Sequence, residues 1–324
     1  MCTGMNETIE HCVNALVNSQ VPPIPTSTPT STSTPKQIDL VLEGGLFNGS
    51  YLIGILYYLK ALERTNQLRV NKISGCSIGA LFGLLYLLDK LHLGEELYKE
   101  ITTTKNLQLL TEEGELYSRI FGGAVATTEA NKQTLLLVQD RLFITHYNCR
   151  MVKKITTSTY DSLENVVETV IKSCYIPLII DGNLTYKNKY IDGMTPHIFP
   201  ATSAGVPSTA PTDTLYIQLV SSSLSSWAQA ISVKGEVTNY HRILQGIADV
   251  HLFFLRNGEN PTKHCSYVSQ WIPQYHTFLW GLHIIEQLFA LCVFVLLWII
   301  ETSCNYAAAV TRHICHTKQQ TLFG

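Results

Sequence analysis

The chain has 324 residues and a formal net charge of −2 at pH 7, with a sequence pI near 6.6. This length can bury a sizeable core, and it suits one large domain with appendages or two small domains. The sequence contains no long basic run, so the electrostatic footprint of a nucleic-acid-binding protein is missing and we expect no nucleic-acid partner. The nine cysteines are scattered without a CxxC pair, which favours a reducing compartment and a cytosol-facing main domain.

The first 37 residues carry few signs of a folded unit. The opening segment MCTGMNETIEHC has no basic stretch followed by an apolar run, so we expect no cleaved signal peptide. Residues 21–37, VPPIPTSTPTSTSTPKQ, are rich in proline, serine and threonine and nearly lack apolar side chains. We therefore predict a disordered N-terminal tail and linker over residues 1–37.

From residue 38 the sequence alternates between strand and helix patterns. IDLVLE predicts a buried strand, residues 50–64 a helix, RVNKISG a second strand and residues 77–90 an apolar helix. This order implies parallel strands with helices covering the sheet. Residues 104–137 are less clearly patterned, and we interpret them as a cap or insertion. Further along, RLFITHY and TLYIQLV predict strands, SLENVVETVIKSC a helix and PLIIDGNLTYKNKYIDG a hairpin-like segment.

A long apolar stretch, FLWGLHIIEQLFALCVFVLLWII, occupies residues 278–300. As a helix it would measure about 34 Å, which matches a bilayer core of roughly 30 Å. Its only formal charge is Glu286, and an ionised carboxylate at mid-helix costs about 2.5–3.5 kcal/mol on insertion scales. We predict a membrane-associating helix that spans or re-enters the bilayer. The alternatives are a buried core helix and a hairpin that lies on the membrane.

The segment ISGCSIGALFGLL contains a GxSxG motif made by Gly75, Ser77 and Gly79. It lies between a predicted strand and a predicted helix, where small neighbours permit a sharp turn that exposes the serine hydroxyl. Ser77 is therefore the candidate nucleophile. A serine hydroxyl is weak by itself, so it needs a base for its proton and donors for the oxyanion that forms.

Upstream, LVLEGGLFNGSYLIGILYYL (residues 40–59) is a strand that Gly44, Gly45 and Gly49 separate from a helix. Unpaired N–H groups at such a junction predict an anion site. If the strands at 38–43 and 69–75 are neighbours, this loop emerges at the same sheet edge as Ser77. The bound anion would then be the tetrahedral oxyanion.

Two aspartates followed by glycine are candidates for the base. An Asp-Gly pair is first a turn signal, which fits Asp181. Asp192 instead ends the apolar strand KYI, which would present its carboxylate at a strand edge. A Ser–His–Asp site stays open as an alternative, because His197, His241 and His251 follow Asp192 in the chain. For these three histidines, surface or helix positions without a catalytic role are the other interpretation.

Three blocks in this order, LEGGLFNGSYLIGIL, SGCSIGA and KYIDGMTPHIFP, resemble the signature blocks of patatin-like phospholipases, and the likeness covers roughly residues 38–222. The resemblance implies an α/β fold, a three-layer α/β/α sandwich with a mostly parallel central sheet. It also implies a dyad in which Ser77 attacks an ester carbonyl and Asp192 is the general base, without a cofactor or metal. Amides of the glycine loop would bind the oxyanion (Gly44, Gly45 and Leu46), and four further glycines would support the motifs (Gly49, Gly75, Gly79 and Gly193).

The loop departs from the family's pattern at two positions. Leu46 stands where the third glycine is expected, and Asn48 stands where the family has a lysine or arginine. Taken as a whole, the resemblance still implies a serine acyl hydrolase of membrane lipids (phospholipids or acylglycerols). A catalytically weakened or inactive patatin-fold scaffold or lipid-binding protein at the membrane is the alternative.

For domain organisation, we expect the hydrolase domain at residues 38–260 and a C-terminal region at 261–324 with the membrane-associating helix. The protein would be membrane-associated, with its catalytic domain in the cytosol. His313, Cys315 and His316 near the C-terminus match no usual zinc spacing, so we expect no metal there.

Overall fold

The computed structural model describes residues 3–20, 34–45, 48–104, 112–122, 128–199, 212–219, 240–262 and 264–323. Within these ranges one sheet has seven strands: β1 Lys36–Leu42, β2 Leu68–Cys76, β3 Leu142–Asn148, β4 Lys153–Thr157, β5 Tyr190–Asp192, β6 Asp213–Ile217 and β7 Cys265–Tyr267. The helices of the same ranges are α1 Thr3–Gln20, α2 Gly49–Arg64, α3 Ile78–Leu87, α4 Leu91–Thr104, α5 Glu113–Phe121, α6 Thr128–Val138, α7 Leu163–Cys174, α8 Tyr240–Leu255 and α9 Pro273–Phe323.

The strands follow the order β4-β3-β2-β1-β6-β7, and β5 also pairs with β3. β1 is parallel to both β2 and β6, and β2 is parallel to β3. The shorter strands β4, β5 and β7 pair antiparallel at the margins. Leu40, Val41 and Leu42 of the central strand β1 are fully buried, as expected for a parallel strand covered on both faces. The predicted fold class, α/β with a mostly parallel central sheet, is confirmed.

One face of the sheet is covered by the main helical layer. Apolar side chains of β1, β2 and β3 share a single buried core with helices α1 to α4, α7 and α8. Helices α2 and α8 cross very closely. A Cβ atom on Gly54 would lie only 2.0 Å from the Ile243 carbonyl oxygen. A Cβ on Gly246 would likewise lie 2.1 Å from the Tyr51 carbonyl oxygen. The lack of a side chain at both positions therefore permits the close approach of the two helices.

The opposite face has a thinner cover. Near the middle of the sheet, Val41 and Tyr216 pack with Phe199 and Trp271. Towards the β5 end, helix α9 packs Ala290, Val293 and Leu297 against Tyr147 and Ile191 in a separate buried cluster. The C-terminal helix therefore lies on the sheet face opposite the main helical layer.

The N-terminal segment differs from its prediction. We predicted a disordered tail, but residues 3–20 form α1, and Ile9, Val13 and Val17 are buried in the main core. These side chains recur every four residues, so they lie on one side of a helix and can pack against α2 and α8. Residues 21–33 of the predicted linker lie outside the described residues.

Over Thr277–Ser303, helix α9 is long and apolar enough to cross a membrane, and it is the one helix of the described chain with this property. It is not a buried core helix, since only Glu286, Ala290, Val293 and Leu297 of this stretch are buried. Large apolar side chains such as Trp280, Ile285 and Trp298 are exposed on its other sides. By length and composition this helix can serve as a membrane anchor.

Candidate active site

Ser77 occupies a sharp turn between β2 and α3. Its backbone angles are φ 53° and ψ −133°, a combination that costs a residue with a side chain about 1–3 kcal/mol. The flanking glycines are required by close backbone contacts. A Cβ on Gly75 would lie 2.5 Å from the Gly79 carbonyl oxygen, and a Cβ on Gly79 would lie 2.7 Å from the Leu42 carbonyl oxygen. The GxSxG segment therefore has the strand-turn-helix geometry that its sequence predicts.

Two residues that the sequence analysis did not identify hold this turn in place. The Ser77 N–H donates to the Ser173 hydroxyl oxygen at 2.9 Å, and Ser173 Oγ donates to the Thr145 carbonyl oxygen at 2.6 Å. This chain of hydrogen bonds links the turn to both α7 and β3. Ser173 lies near the end of an amphipathic helix, and its sequence position did not reveal a partner 96 residues away.

The pairing of strands with β3 brings Asp192 to Ser77. On β3, Thr145 pairs with Cys76 of β2, and the next residue, His146, pairs with Asp192 of β5. β4 pairs with one edge of β3 at these same β3 residues. β2 and β5 therefore both pair with the opposite edge of β3. The C-terminal ends of β2 and β5 therefore face each other, and Ser77 follows directly after the end of β2.

The Asp192 carboxylate is buried and hydrogen-bonded. The Ser77 side chain lies close enough to lower its pKa, and the Met194 N–H donates to Oδ1 at 2.6 Å. Burial raises the pKa of Asp192 to about 6, although the Ser77 side chain and the Met194 N–H act to lower that pKa. Gly193 is required at the next position, because a Cβ there would lie 2.1 Å from the Thr145 carbonyl oxygen. A carboxylate with this pKa can accept a proton near neutral pH.

The glycine loop passes beside the candidate nucleophile. A Cβ on Gly44 would lie 3.0 Å from Ser77 Cβ, a tight contact that glycine avoids. Within the described part of the chain, no backbone acceptor takes the N–H of Gly44 or Gly45. Gly49 begins α2, where a Cβ would lie 2.5 Å from the Tyr98 ring. Leu46, the third predicted oxyanion residue, lies outside the described residues.

A cation reaches the loop from another element. Asn48, at the position of the expected lysine or arginine, donates through Nδ2 to the Leu219 carbonyl oxygen at 2.9 Å. Its Oδ1 accepts a hydrogen bond from Arg242 Nη1 of α8 at 3.3 Å. The guanidinium of Arg242 thus lies at the end of the loop where the sequence lacks a basic side chain. Arg242 could not be identified from the sequence, because it is 194 residues from Asn48.

The remaining candidates occupy other environments. Asp181 is in a turn, where its Oδ1 accepts the Asn183 N–H at 2.9 Å. His251 is buried with its Nδ1 2.9 Å from the Tyr58 hydroxyl, and His241 is exposed at the start of α8. The His197 ring contacts Phe143 and Phe199, and the backbone N–H of His197 donates to Thr145 Oγ1 at 3.2 Å. The side chains of His313, Cys315 and His316 lie outside the described part of the structure.

Part of the sequence matches a known protein family. The sequence model for patatin-like phospholipases matches residues 40–204, just over half of the chain. No curated protein sequence matches this chain. The matched range contains the glycine loop, the turn at Ser77 and the turn at Asp192. The chain belongs to the patatin-like phospholipase family.

Proposed function

We propose that this protein hydrolyses carboxylic esters of lipids with Ser77 as nucleophile and Asp192 as general base. Membership of the family supports a lipid acyl hydrolase in general. The observation that supports the specific mechanism is a buried carboxylate with a pKa of about 6 that lies close enough to the Ser77 side chain for Ser77 to lower that pKa. Such a carboxylate is ionised at neutral pH and accepts a proton far more readily than a solvated aspartate.

In the first half of the reaction, Ser77 Oγ attacks the ester carbonyl carbon while its proton moves to Asp192. The N–H groups of Gly44 and Gly45 would donate to the negative carbonyl oxygen of the tetrahedral intermediate. When this intermediate collapses, the carbon–oxygen bond of the ester breaks, and the leaving alcohol or lysolipid takes the proton from Asp192. The product is an acyl ester on Ser77.

In the second half, water attacks the acyl ester and gives a proton to Asp192. The second tetrahedral intermediate releases the fatty acid, and Ser77 Oγ takes the proton back. Each proton that Asp192 accepts is therefore returned within the same half-reaction. Neither half-reaction needs a metal or a cofactor.

The direct test compares the full-length protein with Ser77→Ala on fluorogenic phospholipid and triacylglycerol esters, with Ser118→Ala as the matched control. Ser118 is exposed on α5, so its hydroxyl has no part in the proposed chemistry. We expect wild type and Ser118→Ala to hydrolyse a substrate and to react covalently with a fluorophosphonate probe. Ser77→Ala should do neither.

Equal, negligible turnover by wild type and Ser77→Ala would contradict the hydrolase and favour the scaffold or lipid-binding alternative. The replacement of a loop glycine by Leu46 is the observation that favours that alternative. Probe labelling of Ser77→Ala would instead place the nucleophile elsewhere. Measured on both substrates, the rates also distinguish a phospholipase from a triacylglycerol lipase.

We also propose that the exposed sides of α9 bind lipid and attach the protein to membranes. Leu288, Leu291 and Leu296 are each about half exposed on this helix. Lysine at all three positions should abolish flotation of the full-length chain with phosphatidylcholine vesicles, because charged side chains are costly in hydrocarbon. Leu136→Lys, at an exposed leucine of α6, is the control and should leave flotation intact. Unchanged flotation of the triple variant would show that another surface attaches the protein.

A further inference from the structure

Lys154 of β4 connects the turn at Asp192 to the C-terminal helix. Its ammonium group donates to Thr195 Oγ1 at 2.5 Å and to Glu286 Oε2 at 3.0 Å. The Lys154 side chain is 18% exposed and the Glu286 side chain 4%. An ion pair this sheltered from water is expensive to form and very sensitive to the loss of one partner. This pair contacts the turn that follows the proposed base through Thr195.

On one side of Lys154, the contact with Thr195 holds the turn that follows Asp192. The Thr195 N–H donates to the Gly193 carbonyl oxygen at 2.7 Å, and the Met194 N–H donates to Asp192 Oδ1 at 2.6 Å. The turn thus closes on itself from Asp192 to Thr195. Because Lys154 holds the Thr195 side chain, it restrains the end of the turn that is not attached to β5.

On the other side of Lys154, Glu286 is fixed within the interface between α9 and the sheet. The Tyr147 hydroxyl donates to Glu286 Oε2 at 3.1 Å. Ala290 and Val293, one and two turns further along α9, pack in the same cluster as Tyr147 and Ile191. Glu286 therefore has a defined position relative to β3, β4 and β5, and it holds the ammonium group of Lys154 beside Thr195.

We propose that Lys154 is a positioning residue for Asp192 and that Glu286 of the C-terminal helix holds Lys154 in place. This inference rests on the proposed role of Asp192 as the base. The proposal gives α9 a second role besides membrane attachment. Glu286 of this helix contacts Lys154, and Lys154 contacts Thr195 in the turn that follows Asp192. The proposal concerns the orientation of the carboxylate and its electrostatic surroundings, and Lys154 itself does not touch the reacting atoms.

The charges of Lys154 and Glu286 should change the pKa of Asp192, an effect that a purely structural role would not have. The Lys154 ammonium lowers the pKa of Asp192, whereas the Glu286 carboxylate raises it. Removal of the two charges should therefore move the titration of Asp192 in opposite directions. Burial lowers the pKa of His146, the cross-strand neighbour, to about 4, so its ring stays neutral near pH 6. The titratable groups around Asp192 come from five elements: Cys76 of β2, His146 of β3, Lys154 of β4, Cys174 of α7 and Glu286 of α9.

The experiment uses the full-length protein with Lys154→Met, Lys154→Arg and Glu286→Gln. The control is Glu301→Gln, which removes an ion pair between α9 and the turn that joins β3 to β4, in which Arg150 Nη1 donates to Glu301 Oε2 at 2.8 Å. We expect kcat to fall at least tenfold in Lys154→Met and in Glu286→Gln, with KM little changed. Lys154→Arg, which keeps the charge, should retain more activity than Lys154→Met, and Glu301→Gln should match wild type.

Two pH measurements accompany the rates. The acidic limb of kcat/KM should move to higher pH in Lys154→Met and to lower pH in Glu286→Gln. The same shifts should appear in the NMR titration of 13Cγ-labelled aspartate, in the resonance that Asp192→Asn lacks. Because this titration needs no turnover, it tests the arrangement even if the hydrolase proposal fails.

Folding is controlled with the double variant Lys154→Met/Glu286→Gln, which leaves no unpaired buried charge. It should unfold at a temperature near that of wild type and still lose activity, because Thr195 has lost its donor. Full activity in the double variant would overturn the positioning role. So would shifts of the Asp192 titration in the same direction in both single variants, or an activity loss in Glu301→Gln equal to that in Glu286→Gln.

Discussion

Ser77 and Asp192 lie at the point where β2 and β5 meet end to end along one edge of β3. β2 runs parallel to β3 and leads into Ser77, whereas β5 runs antiparallel and ends at Asp192. Both strands are held by ladder hydrogen bonds to neighbouring residues of β3. The distance between the proposed nucleophile and base is therefore set by the register of the sheet, which a flexible loop could not fix as firmly.

The first prediction concerns the pH dependence of hydrolysis. Asp192 must be ionised to accept the Ser77 proton, and burial raises its pKa to about 6. We therefore expect kcat/KM on a neutral lipid ester to rise with pH through a midpoint near that value. Vesicle binding should be measured at each pH, so that a change in membrane attachment is not mistaken for titration of the base. An acidic limb centred near pH 4, the range of a solvated carboxyl, would contradict this prediction.

A second prediction follows from the backbone strain at Ser77. Ser77→Gly and Ser77→Ala both remove the hydroxyl, but only glycine adopts φ 53° and ψ −133° without steric cost. We expect Ser77→Gly to be the more stable of the two by about 1 kcal/mol, after subtracting the extra entropy of glycine in the unfolded chain. Thermal unfolding of the two inactive variants measures the difference. A higher melting temperature for Ser77→Ala would show that the turn carries little strain.

The third prediction uses the contact between Gly193 and Thr145. A methyl group at Gly193 would lie 2.1 Å from the Thr145 carbonyl oxygen, so Gly193→Ala must displace β5 or the turn after it. We expect a destabilised protein with at least tenfold lower kcat. Gly114→Ala is the control, because a Cβ there meets nothing within 4 Å and Gly114 lies in helix α5. That substitution should stabilise the protein by about 0.5–1 kcal/mol. Wild-type activity in Gly193→Ala would be incompatible with the register described above.

The fourth prediction concerns the cation at the glycine loop. Arg242→Gln removes a charged donor to Asn48, and such hydrogen bonds contribute about 1.5–3 kcal/mol. If the loop binds the oxyanion, its distortion should lower kcat roughly tenfold or more with little change in KM. Arg256→Gln, at an exposed arginine just after α8, provides the comparison. Equal kcat values for the two variants would show that Arg242 does not support the loop.

Local patterns in the sequence predicted the central part of the fold. The apolar runs of β1 and β2 and the helices after them were recognisable because buried parallel strands and apolar helices have distinct periods. The polar edge strand β4 was missed, since KKITT has little apolar character and its pairing with β3 supplies most of its order. In α1, the four-residue spacing of Ile9, Val13 and Val17 was a usable signal. It was outweighed by the composition of the segment that follows.

At the candidate site, the positions of Ser77 and Asp192 at strand ends were predictable because each follows or ends an apolar strand beside a glycine, and their catalytic roles stay predictions. Their supporting contacts were not predictable, since those depend on residues that are distant in the sequence. Glu286 shows the difference most clearly. By itself it was a charge that a membrane helix should avoid, but it pairs with Lys154, 132 residues away. Only the packing of α9 against the sheet reveals this pairing.

The spacing of the buried positions on α9 also bears on how the helix tolerates sequence change. Glu286, Ala290, Val293 and Leu297 follow one another at intervals of four, three and four residues and form one narrow line along the helix. Lipid chains distinguish poorly between leucine, isoleucine, valine and phenylalanine. The exposed sides can therefore exchange these residues freely while the proposed membrane affinity stays nearly constant. Along the buried line even a conservative exchange must fit the sheet, and its effect would be transmitted to the turn that holds Asp192.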